Sequence, residues 1–356
     1  MVPATEFAEL HGELRQVARD LLGRSDPARA VDWATMARAG WLGLEVGVEY
    51  DGAAATFTEV AVLLGEIGRA AACTAYPGVA ALGLGALLAV APDPDRDHLL
   101  AESVSGAAVP VTVLDSRNMT AAKPTFHLAG GHLRGDADLV LDAPLATHLL
   151  VPAFTRDGSR VLAMVIPGTP GLTVSARPAV DHTRRLGRVH ADNVRAAAVW
   201  DLVPDPRTAL GHLHDRAALA TACDSLGISE AMLEATVAYT KVRHQFGCPI
   251  GTFQAVQHAC ADMLVDITVA RQLLAAAIRA MATNDPGTPT AVSMAKSHTT
   301  AAAVRIAGKA MQLHGGIGYT WEHNLHTYLK RATLNRSLFG SPAAHRRRLA
   351  TRYLDR

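Results

Sequence analysis

Aromatic residues make up only 5% of this 356-residue sequence. Long apolar runs are missing too. The longest, Val79 to Ala91, has 13 residues and contains two glycines, whereas a membrane-spanning helix needs about 20. Cysteine is scarce: Cys73, Cys223, Cys248 and Cys260 make no CxxC and no Cys/His zinc spacing. A disulfide framework and a structural zinc site are thereby excluded, and small buried apolar thiols in a reduced compartment are expected. Neither sign of charge prevails. Lys plus Arg number 34 and Asp plus Glu 33, for a formal net charge of +1, so a chain built to coat nucleic acid is excluded. The opening MVPATEFAELHGELRQ has no apolar core of a signal peptide. A soluble cytoplasmic protein is expected, with no metal, since His11, His127, His132, His148 and His190 are spread over loops and strands and no pair of them has ligand spacing.

The chain is long enough for two or three domains. Its first hundred residues have helical period: Phe7, Leu10, Leu14, Val17 and Leu21 share one spacing, and Val60, Leu63, Leu64 and Ile67 another. After about Gly106 the pattern changes to short β-rich runs: Val109–Leu114, Thr125–Leu128, Leu139–Leu141, His148–Val151, Arg160–Ile166 and Leu172–Ser175. Gly130-Gly131, Asp157-Gly158 and Pro167-Gly168 lie between them as turns. From Thr208 the helical period returns. It is interrupted at 243–252 and 284–289, and a helix from about Pro289 to His314 is closed by Gly315-Gly316.

Two stretches carry chemistry. The first is Arg243-His-Gln-Phe-Gly-Cys-Pro-Ile-Gly-Thr-Phe-Gln254, with Ala261-Asp262-Met263 after it. The second is Gln312-Leu-His-Gly-Gly-Ile-Gly-Tyr319. An arginine at a helix end can meet a phosphate with two parallel hydrogen bonds, and Phe246 can pack on a planar ring. Gly315, Gly316 and Gly318 let backbone N–H groups approach an anion. Neither stretch is a Walker loop, since no Gly-Lys-Ser/Thr follows, and neither is a Rossmann fingerprint, since no strand precedes.

In this order, within a helix–β–helix chain, the two motifs resemble the C-terminal signature of the acyl-CoA dehydrogenase family. Gly40-Trp-Leu-Gly-Leu44, Glu49-Tyr-Asp-Gly52 and Glu66-Ile-Gly-Arg69 resemble its N-terminal domain. The resemblance implies an α+β fold with an N-terminal helical domain (1–105), a middle β-barrel or sandwich domain (106–205) and a C-terminal four-helix bundle (206–356). It also implies an FAD-dependent α,β-dehydrogenation of an acyl-CoA, with an electron-transfer flavoprotein as acceptor and a four-subunit assembly. In that family the two motifs contact the FAD bound mainly by a neighbouring subunit. Here the matching residues are Arg243, Gln245, Phe246, Gln312, Gly315 and Gly316, with His314 beside them.

The sequence departs from the family where the base should be. One family position for the catalytic carboxylate falls on Phe339, the other on Ala217, and neither residue can take a proton. Asp215 and Asp224 are the nearest carboxylates on the second position's helix, although both are out of step with it. Glu322 comes too soon after the glycines. The segment that would meet the flavin ring is reduced to Asp115-Ser116, and the family's hydroxyl contact is replaced by Leu139-Val140-Leu141. The chain therefore resembles the base-lacking subunit of actinobacterial heteromeric acyl-CoA dehydrogenases, some of which act on steroid-derived thioesters. Two alternatives stay open: a self-sufficient homomer using Asp215 or Asp224, and a non-catalytic scaffold on the same fold.

Overall fold

The computed structural model describes residues 4–23, 30–117, 125–319 and 324–354, so Glu322 lies outside the described residues. In chain order the helices α1 (Ala4–Leu22), α2 (Trp33–Arg38) and α3 (Phe57–Arg69) come first. A wide π-helical turn, Pro77–Gly83, runs into α4 (Leu84–Leu87), and α5 (Pro94–Ser105) follows. Then come β1 (Pro110–Thr112), β2 (Phe126–Ala129), β3 (His132–Leu141), β4 (His148–Thr155), β5 (Arg160–Val165), β6 (Leu172–Arg177), β7 (Leu186–Arg195) and β8 (Ala198–Asp201). The chain closes with α6 (Pro206–Val242), the two short strands β9 (His244–Gln245) and β10 (Cys248–Pro249), α7 (Gln254–Ala282), α8 (Thr288–His314), α9 (Leu325–Ser337) and α10 (Pro342–Leu354). The helical–β–helical order is the one the sequence suggests. None of the described helices is long and apolar enough to cross a membrane.

By their contacts the residues form two compact units: 31–60 with 73–218, and 1–30 with 61–72 and 219–356. The second unit includes most of α3, which packs on α6. Its glycines pack directly on α6 within the second grouping. A Cβ on Gly68 would lie 2.0 Å from the Asp224 carbonyl oxygen, and one on Gly227 would lie 1.9 Å from the Gly65 carbonyl oxygen. Two helix backbones can approach this closely only where side chains are absent.

The sheet unit contains one continuous hydrogen-bonded path, β6-β7-β3-β2-β4-β5-β8, with β1 also on β4. β1 and β2 share one edge of β4, pairing with opposite ends of it. Among the described residues the path ends at β6 and β8. Val111, Phe126, Leu133, Val140, Leu149, Val151, Val161 and Val189 fill its core. Two elements were not legible in the sequence. In β7 the apolar alternation breaks at Asn193, whose φ is 57°, and the β3–β7 register shifts there. Pro94, which looks like a helix break, in fact opens α5. The carboxylate of Asp93 accepts from the amides of Asp95 and Arg96, and proline suits the first helical position.

The helical unit is organised by a buried charge network. Arg331, on α9, has no solvent exposure. Its Nε and Nη2 donate to the two carboxylate oxygens of Asp224 on α6 at 3.1 and 2.7 Å, and Nη1 donates to the Ala72 carbonyl at 2.8 Å. Asn335 Nδ2 gives Asp224 another bond at 2.6 Å. Lys296, on α8 and equally buried, donates from Nζ to Thr221 Oγ1 and to the Asn335 carbonyl, both at 2.6 Å. Burial lowers the Lys296 ammonium to about 7. Asp224 is thus paired with Arg331 through both carboxylate oxygens. Nearby, the buried His345 imidazole donates from Nε2 to the Phe339 carbonyl at 3.0 Å.

Two outcomes follow for this unit. Asp224→Ala strands a buried guanidinium and should cost about 3–5 kcal/mol, read as a fall in the urea midpoint. The second concerns pH. Burial pushes His345 from its ordinary 6.5 down to about 4, so the unfolded chain binds a proton that the folded chain refuses. Stability should therefore fall as pH drops from about 6.5 to about 4, by up to about 1.4 kcal/mol per pH unit for this group. Urea titrations at pH 7 and pH 5 should show a smaller loss for His345→Gln than for the natural chain.

Candidate functional site

The first motif begins where α6 stops. The amide of Arg243 still donates to the Tyr239 carbonyl at 2.9 Å, and Ile250 N–H donates back to the Arg243 carbonyl at 2.8 Å. Between them β9 and β10 pair His244 with Pro249 and Gln245 with Cys248. The two residues left at the tip are Phe246 and Gly247, with φ of 51° and 82°. Two successive positive φ values define the tight hairpin turn whose twist suits paired strands. Asparagine normally fills the first of these positions, because an aromatic residue there is strained. Phe246 is nevertheless 94% exposed. Its only ring neighbour is Phe253, edge-on at 6.2 Å between centroids. The Arg243 guanidinium is exposed and has no partner among the described residues, and Gln245 is exposed beside it.

The second motif ends α8. Gly315 has φ 64° and ψ −144°, a conformation essentially reserved for glycine, and its amide donates to the Gln312 carbonyl. Gly315 and Gly316 have open space where a Cβ would stand, whereas a Cβ on Gly318 would lie 2.8 Å from the Met311 carbonyl. Gln312 is exposed and accepts from Lys309 Nζ at 3.1 Å. His314 does not join this surface. It is buried, its Nδ1 bonds the Ala310 carbonyl at 2.7 Å, and its ring stacks on Tyr239 at 4.4 Å with an interplanar angle of 22°. His314 therefore packs inward, beside the glycine turn.

That stack brings the two motifs together, because Tyr239 lies one helical turn before Arg243. An unpartnered guanidinium, two carboxamides, the glycine-turn amides and an exposed aromatic ring gather at one end of the helical unit. This donor set fits a diphosphate attached to planar rings. The sequence reading missed Tyr239, although an aromatic four residues before the arginine was its available signal.

The base positions are not rescued by their surroundings. Phe339 is buried and has φ 53°. In the sheet unit Ala217 is fully buried, next to Arg216. The Arg216 guanidinium is paired with the carboxylate of Glu45 through both nitrogens, one at 3.0 Å. It also donates to the Ala81 carbonyl and covers the Phe57 ring at 4.6 Å. Asp215 is buried too. The remnant of the ring-contacting segment is occupied by protein partners. Ser116 Oγ donates to the Leu139 carbonyl at 2.6 Å, and the Asp115 carboxylate holds Arg117 through Nε and Nη2 at 3.0 and 2.6 Å. These residues do not fit a flavin-ring contact. No metal-binding cluster of His, Cys, Asp or Glu occurs among the described residues.

The family model for the acyl-CoA dehydrogenase C-terminal domain matches residues 209–354, and that for the N-terminal domain matches 4–107. Acyl-CoA dehydrogenase IpdE2 of Mycobacterium tuberculosis is 33% identical over 312 residues, covering 88% of this chain and 83% of that protein. Among solved structures, the Tcur3481-Tcur3483 steroid ACAD is 29% identical with a TM-score of 0.84, covering 99% of this chain and 98% of that one. The ChsE4-ChsE5 complex of M. tuberculosis shares the fold at 23% identity and a TM-score of 0.86, over 100% and 99% of the two chains.

Phe246 yields a test that needs no cofactor. Phe246→Asn would place Asn-Gly in the hairpin turn and relieve the strain. It should raise the stability of the isolated chain by about 1 kcal/mol, measured by thermal or chemical unfolding. An unchanged or lower stability would mean that the aromatic ring supports the fold.

Proposed function

Because this chain belongs to the acyl-CoA dehydrogenase family, we propose that it works as the dinucleotide-contacting subunit of a heteromeric, FAD-dependent enzyme. The enzyme class oxidises a CH–CH bond of an acyl-CoA. A carboxylate removes the α-proton, and the flavin, when bound, takes the hydride from Cβ. This chain's residues account for the binding part of that task. Arg243 offers a forked set of N–H donors to the pyrophosphate. The amides at Gly315 and Gly316 and the carboxamides of Gln245 and Gln312 supply further polar contacts, and Phe246 gives a planar surface for a ring. A partner subunit of the same family would hold the flavin ring, the thioester and the base.

One observation carries this reading. The residues directed at a neighbour's dinucleotide are intact and exposed, with Phe246 held in a strained turn, while both base positions are buried residues without a carboxyl group. Strain at an exposed tip is maintained where the tip is used. Asp224 is withdrawn from the alternative homomeric scheme by its pairing with Arg331, which leaves Asp215 as that scheme's remaining carboxylate. The likeness to a steroid ACAD supports a steroid-derived acyl-CoA as substrate, and an electron-transfer flavoprotein is proposed as acceptor.

Flavin stoichiometry tests the reading. The chain should purify colourless alone and carry one FAD per pair of unlike chains when co-purified with its partner, by the ratio of 450 to 280 nm absorbance. One FAD per chain in the isolated protein would overturn the half-site and make Asp215→Asn the next variant. In the complex, Arg243→Ala should lower FAD affinity by about 1.5–3 kcal/mol, about ten- to a hundredfold.

A further inference from the structure

The two motifs can serve one dinucleotide only if their helix ends keep a fixed relation, and one side chain touches both. Tyr239 lies on the last turn of α6, where its carbonyl accepts the Arg243 amide at 2.9 Å. Its ring lies nearly parallel to the imidazole of His314 at 4.4 Å. Its hydroxyl donates to the His314 carbonyl at 3.4 Å. His314 is the last residue of α8, directly before the glycine turn. It is fixed in turn by its Nδ1 bond to the Ala310 carbonyl. The turn folds back onto the same residue, since a Cβ on Gly318 would stand 3.2 Å from His314 Cβ. One path from Arg243 to the glycine amides therefore runs through this aromatic stack.

We propose that Tyr239, acting through His314, is the positioning residue that sets the Arg243 hairpin and the Gly315-Gly316 turn in register, so that both engage the same diphosphate. The inference rests on the half-site reading. Neither Tyr239 nor His314 needs to touch the cofactor. A flat ring against a flat ring fixes the rotation of one helix end against the other, which an aliphatic side chain of similar volume does not do.

The test uses the full chain in complex with its flavin-carrying partner. The apo complex is titrated with FAD while flavin fluorescence is followed. Tyr239→Leu should weaken FAD binding about tenfold, and Tyr239→Phe, which keeps the stack, should restore it to within about twofold of the natural complex. Because Tyr239 acts through the end of α8 that carries Gln312, the Tyr239→Leu/Gln312→Ala double variant should lose less than the product of the two single losses. Helix destabilisation alone would lower the melting temperature without this coupling.

If Tyr239→Leu fails to assemble, His314→Asn carries the same expectation, since it keeps a side-chain donor for the Ala310 carbonyl and removes the ring. Unchanged FAD affinity in the variant that assembles, or multiplicative losses in the double variant, overturns the proposal. Arg243→Ala separates the two levels. If it leaves FAD affinity intact, the half-site reading itself fails. If it weakens FAD while removal of the stack does not, only the positioning role fails.

Discussion

The guanidinium of Arg331 cannot be buried without Asp224, and the helical unit is arranged around that requirement. Removing an unpaired charge from water costs several kcal/mol. Here the charge is met by both oxygens of one carboxylate, a backbone carbonyl and, through Asn335, a second layer that reaches Lys296. Three helices, α6, α8 and α9, are tied together by these buried groups. The glycine crossing of α3 and α6 sits at the same level, since Gly68 faces the backbone of Asp224 itself. Close backbone approach and buried ion pair fix the same stretch of α6, one by excluding side-chain volume and the other by electrostatics.

With its middle fixed in this way, the unit can leave one end open. The ends of α6 and α8 carry polar and aromatic groups that are not used in folding: Arg243, Gln245, Phe246 and Gln312. The contrast with the segment around Asp115 and Ser116 is instructive. There, Ser116 Oγ and the Asp115 carboxylate have protein partners instead. One region has kept its donors free and the other has spent them on its own fold.

Much of this was legible in the sequence. The return of helical period after Thr208, the glycine pair closing α8 and the Arg243 motif all lie in local patterns, and local patterns survive in a single chain. What escaped depends on distance. Asp224 and its partner Arg331 are 107 residues apart, so nothing near Asp224 marks it as structural. The inward stacking of the His314 ring on Tyr239 joins residues 75 apart, which no local pattern marks. β7 was missed because a left-handed Asn193 breaks the alternation that identifies strands, and the polar first half of β3 because Arg134, Gly135 and Asp136 carry no apolar alternation.

The direction of the helices at this face has an electrostatic consequence. Both α6 and α8 end here, and a helix C-terminus carries a partial negative charge of about half a unit. A phosphate-binding face built on helix N-termini draws part of its affinity from the backbone dipole. This one would work against it, so the attraction must come from an exposed side-chain cation and from amides reversed by Gly315. Exposed charge is screened over about 10 Å at 0.1 M salt, whereas a buried dipole is not. Retention of the dinucleotide on this face would therefore be governed by ionic strength, and a complex that holds its flavin in dilute buffer would release it as salt is raised, with the fold left intact.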